Sequence, residues 1–122
     1  MTGFTNAESQ ATLDARFPTS GGTDYVAYST NGTSETGSLA RTAVGATGWA
    51  AATNADPSVK ANSPTLTTAA ASAGITVTHF CIMSASSGGT QRTDWTALSQ
   101  AVTLASGATA TWVPGALAIT LT

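Results

Sequence analysis

From residue 23 onward the apolar side chains recur at every second position, in short runs that end at Gly, Pro or Asn-Gly signals. A period of two belongs to a pleated strand with one face inward, and a helix with its period of 3.6 cannot satisfy it. ALAITLT (116–122) shows the pattern most cleanly, with Leu117, Ile119 and Leu121 expected inward and Ala118, Thr120 and Thr122 outward. TDYVAYST (23–30) is rich in strand formers and stops at Asn31-Gly32, a strong hairpin dipeptide. GITVTHFCIMSA (74–85) is the most strongly β-forming stretch, 86–90 with Gly88-Gly89 reads as a hairpin loop, and TDWTALS (93–99) as its return strand. QAVTLA (100–105) and TATWV (109–113) add two more strands, and SLARTAV (38–44) alternates weakly. NADPSVKANSP (54–64) holds Asp56-Pro57 and Ser63-Pro64, which suits an edge, a bulge or a loop, because proline cannot donate to a ladder.

Short strands with turn signals at about 8–12-residue spacing predict an all-β chain, a jelly-roll-like or other antiparallel β-sandwich. Periodicity does not choose between strand orders. No repeat and no linker divides the chain, so one β-domain is expected over 1–122, with 1–22 as an N-terminal arm or short helix and 23–122 as the sandwich. Within the arm, NAESQATLDARF (6–17) predicts a helix. Asn6 is the expected N-cap, Glu8 suits the first turn, and Ala7, Ala11, Leu13 and Phe17 are available for a narrow apolar stripe. Pro18 and Gly21-Gly22 then stop it. The alternative is a frayed terminal arm.

Charge excludes several functions. Only 8% of the 122 residues are charged, against roughly 25% in ordinary soluble domains. The polar surface must therefore be made mainly by Thr and Ser. A net charge of −2, with Arg16, Arg41, Lys60 and Arg92 scattered, offers no cationic footprint for nucleic acid. No apolar run approaches the roughly 18 residues of a membrane span. MTGFTNAESQ lacks the charged and apolar regions of a signal peptide, so synthesis in a cytoplasm without export is expected. A single cysteine permits no internal disulfide framework.

The only histidine and the only cysteine, His79 and Cys81, stand two positions apart. On a strand they share a face but are separated by about 6.6 Å along it. Activation of a thiol needs contact at roughly 3 Å with its base. No second Cys or His supplies a zinc set. Cys81 is therefore expected as a small buried hydrophobe, with Phe80 and Ile82 filling the core and His79 bonded to backbone or hydroxyl groups. Glu8, Asp14, Asp24, Glu35, Asp56 and Asp94 are spread along the chain, and the glycine pairs lack the Lys and context of a phosphate loop. No catalytic, cofactor or metal site is expected. Trp95 and Trp112 are expected in the core, while Trp49, in the Gly-flanked ATGWAAAT, is a candidate interface anchor.

One resemblance embraces most of these segments. Thr78-His79-Phe80 and Ile82, the Gly88-Gly89 hairpin, Trp95, Ala97-Leu98, and Gly115, Leu117, Ile119 and Leu121 follow one another as in a family of small tailed-bacteriophage virion proteins. YVAYST (25–30), SLART (38–42) and Leu13-Asp14 are similar to its earlier segments. Cys81, Met83 and Leu39 depart from it where glycine, an aromatic and tyrosine are usual. Members are variously described as head decoration, minor tail or tail-fibre proteins. The resemblance implies a virion component, and a compact β-domain with a neutral surface suits a head decoration protein that cements the capsid surface as a homotrimer. Its expected partners are its own copies and the major capsid protein, with neither nucleic acid nor membrane involved. Phe4, Leu13 and Phe17 of the arm and Trp49 are the candidate interface. Under the alternative, a minor tail or receptor-binding module, Trp49 or Tyr28 contacts host glycan. An enzyme built around Asp94 or His79 ranks third.

Overall fold

A computed structural model describes residues 5–19, 23–45, 48–55, 57–63 and 65–121. The order is α1 (Asn6–Arg16), β1 (Tyr25–Ser29), β2 (Thr42–Ala43), β3 (Ser58–Ala61), β4 (Leu66–Thr67), β5 (Ile75–Met83), β6 (Thr96–Leu104), β7 (Thr111–Trp112) and β8 (Ala118–Leu121). The chain is thus all-β apart from one short helix, and the ladders β1–β2, β1–β5, β3–β8 and β5–β6 are antiparallel. Its internal packing divides it into two compact units: Met1–Gly22 with Val44–Thr65 and Trp112–Thr122, and Thr23–Ala43 with Leu66–Thr111. The helix belongs to the first unit together with the C-terminal strand.

The second unit is built on a four-stranded sheet in the order β2-β1-β5-β6. Its two inner strands read as near-continuous apolar runs because both faces are covered. Val26, Ala27, Tyr28 and Ser29 are buried in β1, and Val77, Phe80, Cys81 and Ile82 in β5. Val26 stands opposite Ile82 and Tyr28 opposite Phe80. Each such large side chain contributes about 1.5–3 kcal/mol by leaving water, which outweighs the weak propensity signal of any single residue. Cys81 sits among them as the small hydrophobe that the sequence predicts.

Strand β6 corrects one expectation. The stretches 93–99 and 100–105, read as two strands, form one strand from Thr96 to Leu104. Yet the ladder is broken inside it. Ala97 pairs with His79 and Val102 with Val77, so Leu98–Ala101 stand opposite Thr78 alone. The interruption lies where the sequence pattern changes register, and it absorbs residues that a continuous ladder would expose on the wrong face.

In the first unit α1 is capped by Thr5 rather than Asn6. Thr5 is extended, and its Oγ1 accepts the Glu8 N–H at 3.2 Å, while Asn6 is already helical. The buried face also differs from expectation. Ser9, Leu13 and Phe17 are buried, whereas Ala7 and Ala11 are exposed. At about 100° per residue, positions two apart lie on nearly opposite sides of a helix. Once Leu13 and Phe17 face inward, Ala7 and Ala11 must face out. The segment read as an edge or loop, 54–64, contains β3, which pairs with β8 in a two-stranded ladder that sets Lys60 opposite Ile119. Along β8 the alternation is partial. Leu117, just before it, is buried, Ala118, Ile119 and Leu121 are half-buried, Thr120 is exposed, and Thr122 lies outside the described residues.

Candidate functional site

The best-defined polar constellation in the first unit is the bed of α1. Gln10 Nε2 donates to the Ala52 carbonyl at 3.0 Å, and the Ala52 N–H donates to Asp14 Oδ1 at 2.9 Å. Lys60 Nζ reaches the same Oδ1 at 2.6 Å. The Lys60 side chain is 0% exposed and that of Asp14 38%, so a wholly buried ammonium is matched by a carboxylate at the rim. The Lys60 hydrogen bond, and after it the Ala52 N–H, hold the Asp14 carboxyl below its ordinary range. The backbone N–H and carbonyl of Ala52 thus form a reciprocal clamp with Asp14 and Gln10 of the helix, while Phe17 packs edge-on to Trp49 with ring centroids 5.6 Å apart.

This arrangement corrects the interface expectation for three residues. Leu13, Phe17 and Trp49 are only 4%, 5% and 2% exposed, so in the single chain they are core residues and not part of its outer surface. Phe4 lies outside the described residues. Tyr28, the other residue considered for glycan contact, is also fully buried, with its hydroxyl bonded to Thr42 Oγ1. Trp112 joins the core as expected, while Trp95 is half-buried.

Asn62 does comparable work at the chain's last turn. Its Nδ2 donates to the carbonyls of Val113 at 3.0 Å and Trp112 at 3.4 Å, and its Oδ1 accepts the Leu117 N–H at 3.0 Å. Its backbone N–H donates to Leu117 O, and its carbonyl accepts from Gly115. One buried amide therefore replaces a strand pair for the segment 112–117.

In the second unit an open cleft of about 380 Å³ is lined by residues 35–41 and 86–88. Its lining includes Arg41, whose guanidinium grips Glu35 through both carboxylate oxygens at 2.8 Å and donates to the carbonyls of Ala85 and Gly88. Arg41 is 8% exposed and engaged on all sides, so it ties two loops together rather than offering a free charge to a ligand. A second ion pair joins Arg92 to Asp24, whose side chain is 3% exposed.

His79 and Cys81 remain apart in function. His79 Nδ1 is 2.8 Å from Thr78 Oγ1, the hydroxyl partner that the sequence leads one to expect. Burial pushes the Cys81 thiol up to about 11, with Glu35 adding to the shift and Arg41 opposing it. The thiol is thus protonated at neutral pH and unsuited to nucleophilic attack. Among the described residues no group of three His, Cys, Asp or Glu side chains is placed to hold a metal ion, and no helix is long and apolar enough to cross a membrane.

The C-terminal stretch is uncharged. From Trp95 to the last residue the sequence contains no Asp, Glu, Lys, Arg or His. Within it β6, at the edge of the sheet, has Thr96, Ala97, Ser99, Gln100, Ala101 and Thr103 exposed. Sequence reasoning missed Lys60 and Asn62 as organising residues. The available signal was their alternation in Ser58-Val59-Lys60-Ala61-Asn62, which puts Ser58, Lys60 and Asn62 on one face; all three are buried. No protein-family model matches the chain, and no curated protein matches it.

Proposed function

We propose that this chain is a structural protein of a bacteriophage virion, and that it serves as a head decoration protein which binds the outer shell as a homotrimer. The observation that carries the reading is the exposed, charge-free β6 edge within a C-terminal stretch, from Trp95 onward, that has no charged side chain. Such a surface has nothing with which to polarise a substrate or neutralise a phosphate. It suits shape-matched contact among many identical neighbours, where symmetry multiplies modest individual contacts. The likeness to small virion proteins supports the same reading, since its densest motifs coincide with β5, the 84–90 loop, β6 and β8. A jelly-roll-like closure of the strands belongs to this reading too.

The partners are other copies of the chain and the major capsid protein, and the site of action is the capsid surface. Attachment driven by neutral surface varies little with salt, because exposed charges contribute little to it. Quantitative mass spectrometry of purified heads and tails tests the reading. A copy number comparable to the major capsid protein, confined to heads, is expected. A few copies confined to tails would instead identify a minor tail or fibre component and overturn the decoration role.

A further inference from the structure

The bed of α1 is a recognition site for a helix, and nothing in its chemistry requires that helix to come from the same chain. Its attachments lie at Trp49, Ala52 and Lys60, far along the sequence from Gln10, Asp14 and Phe17. We propose that this bed also accepts α1 from a second copy of the chain, so that exchanged helices link neighbouring subunits.

The occupant is specified by charge. Lys60 is wholly buried, and a helix that covers it must bring a carboxylate to its ammonium. Asp14 does so, one turn after Gln10 engages the Ala52 carbonyl and between the buried Leu13 and Phe17. The pattern Gln10, Leu13, Asp14, Phe17 is thus a small code, and α1 is the only helix among the described residues. A neutral helix, or one with a base at position 14, leaves a buried charge unmatched. An exchanged helix recovers every one of these contacts. The choice between own and neighbouring helix then rests on their relative local concentrations, and close packing of copies raises that of the neighbour. All of these contacts lie within the first unit.

Two full-length variants with opposite defects test it. Asp14→Lys spoils the helix and keeps the bed, while Lys60→Asp spoils the bed and keeps the helix. The combined variant Asp14→Lys/Lys60→Asp, in which the reversed pair meets within one chain, checks that the fold tolerates the charges. Native mass spectrometry of the two single variants mixed at equal concentration is expected to show a species containing one of each, absent from either alone. A synthetic peptide of residues 5–19 is expected to raise the melting temperature of the Asp14→Lys chain, and the same peptide carrying Asp14→Lys is expected to have no effect. A mixture that holds only the separate variants, together with no response to the native peptide, overturns the proposal whether or not the single variants stay folded.

Discussion

Replacing Asn62 isolates the worth of a single buried amide. The side chain is 1% exposed and makes hydrogen bonds to Trp112, Val113 and Leu117. Asn62→Ala removes these bonds, at about 1 kcal/mol each, and leaves the Leu117 N–H without that acceptor next to a residue that is itself fully buried. Because the 3.4 Å contact to Trp112 is weak, a net loss of about 3 kcal/mol is expected. That is a large part of the roughly 5–15 kcal/mol that holds a domain folded, and it lowers Tm by about 10 °C. Asn62→Asp adds a second test. The carboxylate still accepts from Leu117 but turns an oxygen toward the Val113 carbonyl, so its charged form is disfavoured when folded. Its folded pKa is therefore raised, the penalty is full above that pKa, and the gap to the native protein narrows as pH falls below it. Urea unfolding followed by tryptophan fluorescence reads both, since Trp49 and Trp112 are buried in the same unit as Asn62. A loss below about 1 kcal/mol for alanine, or an aspartate variant whose deficit is the same at pH 3.5 and pH 7, would refute the assignment of this amide as the organiser of the last turn.

The buried ion pair gives an asymmetric expectation. Asp14→Asn leaves Lys60 uncompensated and costs about 3 kcal/mol, whereas Lys60→Met costs far less, as paired urea titrations will show. Since the folded Asp14 pKa lies below its unfolded value of 3.8, this stabilisation is full above that value and fades as pH falls through the folded one. Acid titration of the Lys60→Met variant should show a smaller such component, because the Ala52 N–H still bonds the Asp14 carboxylate. Cys81, with its thiol raised to about 11, should resist iodoacetamide at pH 8 in the native protein and react fully in denaturant, as intact-mass measurement will register. Gly32→Ala should destabilise by about 1–2 kcal/mol in thermal melts, because φ is +78° and a Cβ there would come within 3.0 Å of the His79 ring.

The strands were legible because burial on one or both faces writes itself into alternation or into continuous apolar runs. TDYVAYST and GITVTHFCIMSA became β1 and β5, and ALAITLT became β8. The helix was legible too, but not its orientation. Thr5 and Asn6 are both competent caps, and the choice between them turns on one backbone dihedral; the buried side depends on where β3 lies. What was hidden is held by pairs distant in sequence. Asp14 meets Lys60 across 46 positions, and Asn62 meets Leu117 across 55. Lys60 is a lone base in a segment rich in turn formers, and the alternation that puts it on the face of Ser58 and Asn62 does not say that this polar face is the buried one. Trp49 misled for a related reason: its glycine-rich surroundings look like an exposed loop, yet Phe17, far earlier in the chain, covers it.

The sparse charges gain their meaning from where they are spent. Arg41, Lys60 and Arg92 engage carboxylates, with side-chain exposures of 8%, 0% and 20%. Each base ties together distant segments: Lys60 joins β3 to the helix, Arg41 joins the 35–41 loop to the 84–90 loop through the Ala85 and Gly88 carbonyls, and Arg92 joins the return from the hairpin to the start of β1. These three bases therefore serve as internal fasteners, while Arg16 lies exposed on α1. The surface is consequently more neutral than the composition alone implies. Contact through it depends on shape, on hydroxyl and amide hydrogen bonds and on small apolar groups. Its selectivity must then come from the geometry of many repeated contacts rather than from long-range attraction. That requirement is met where copies of one chain stand in fixed register on an ordered lattice, which is the setting the proposed function supplies.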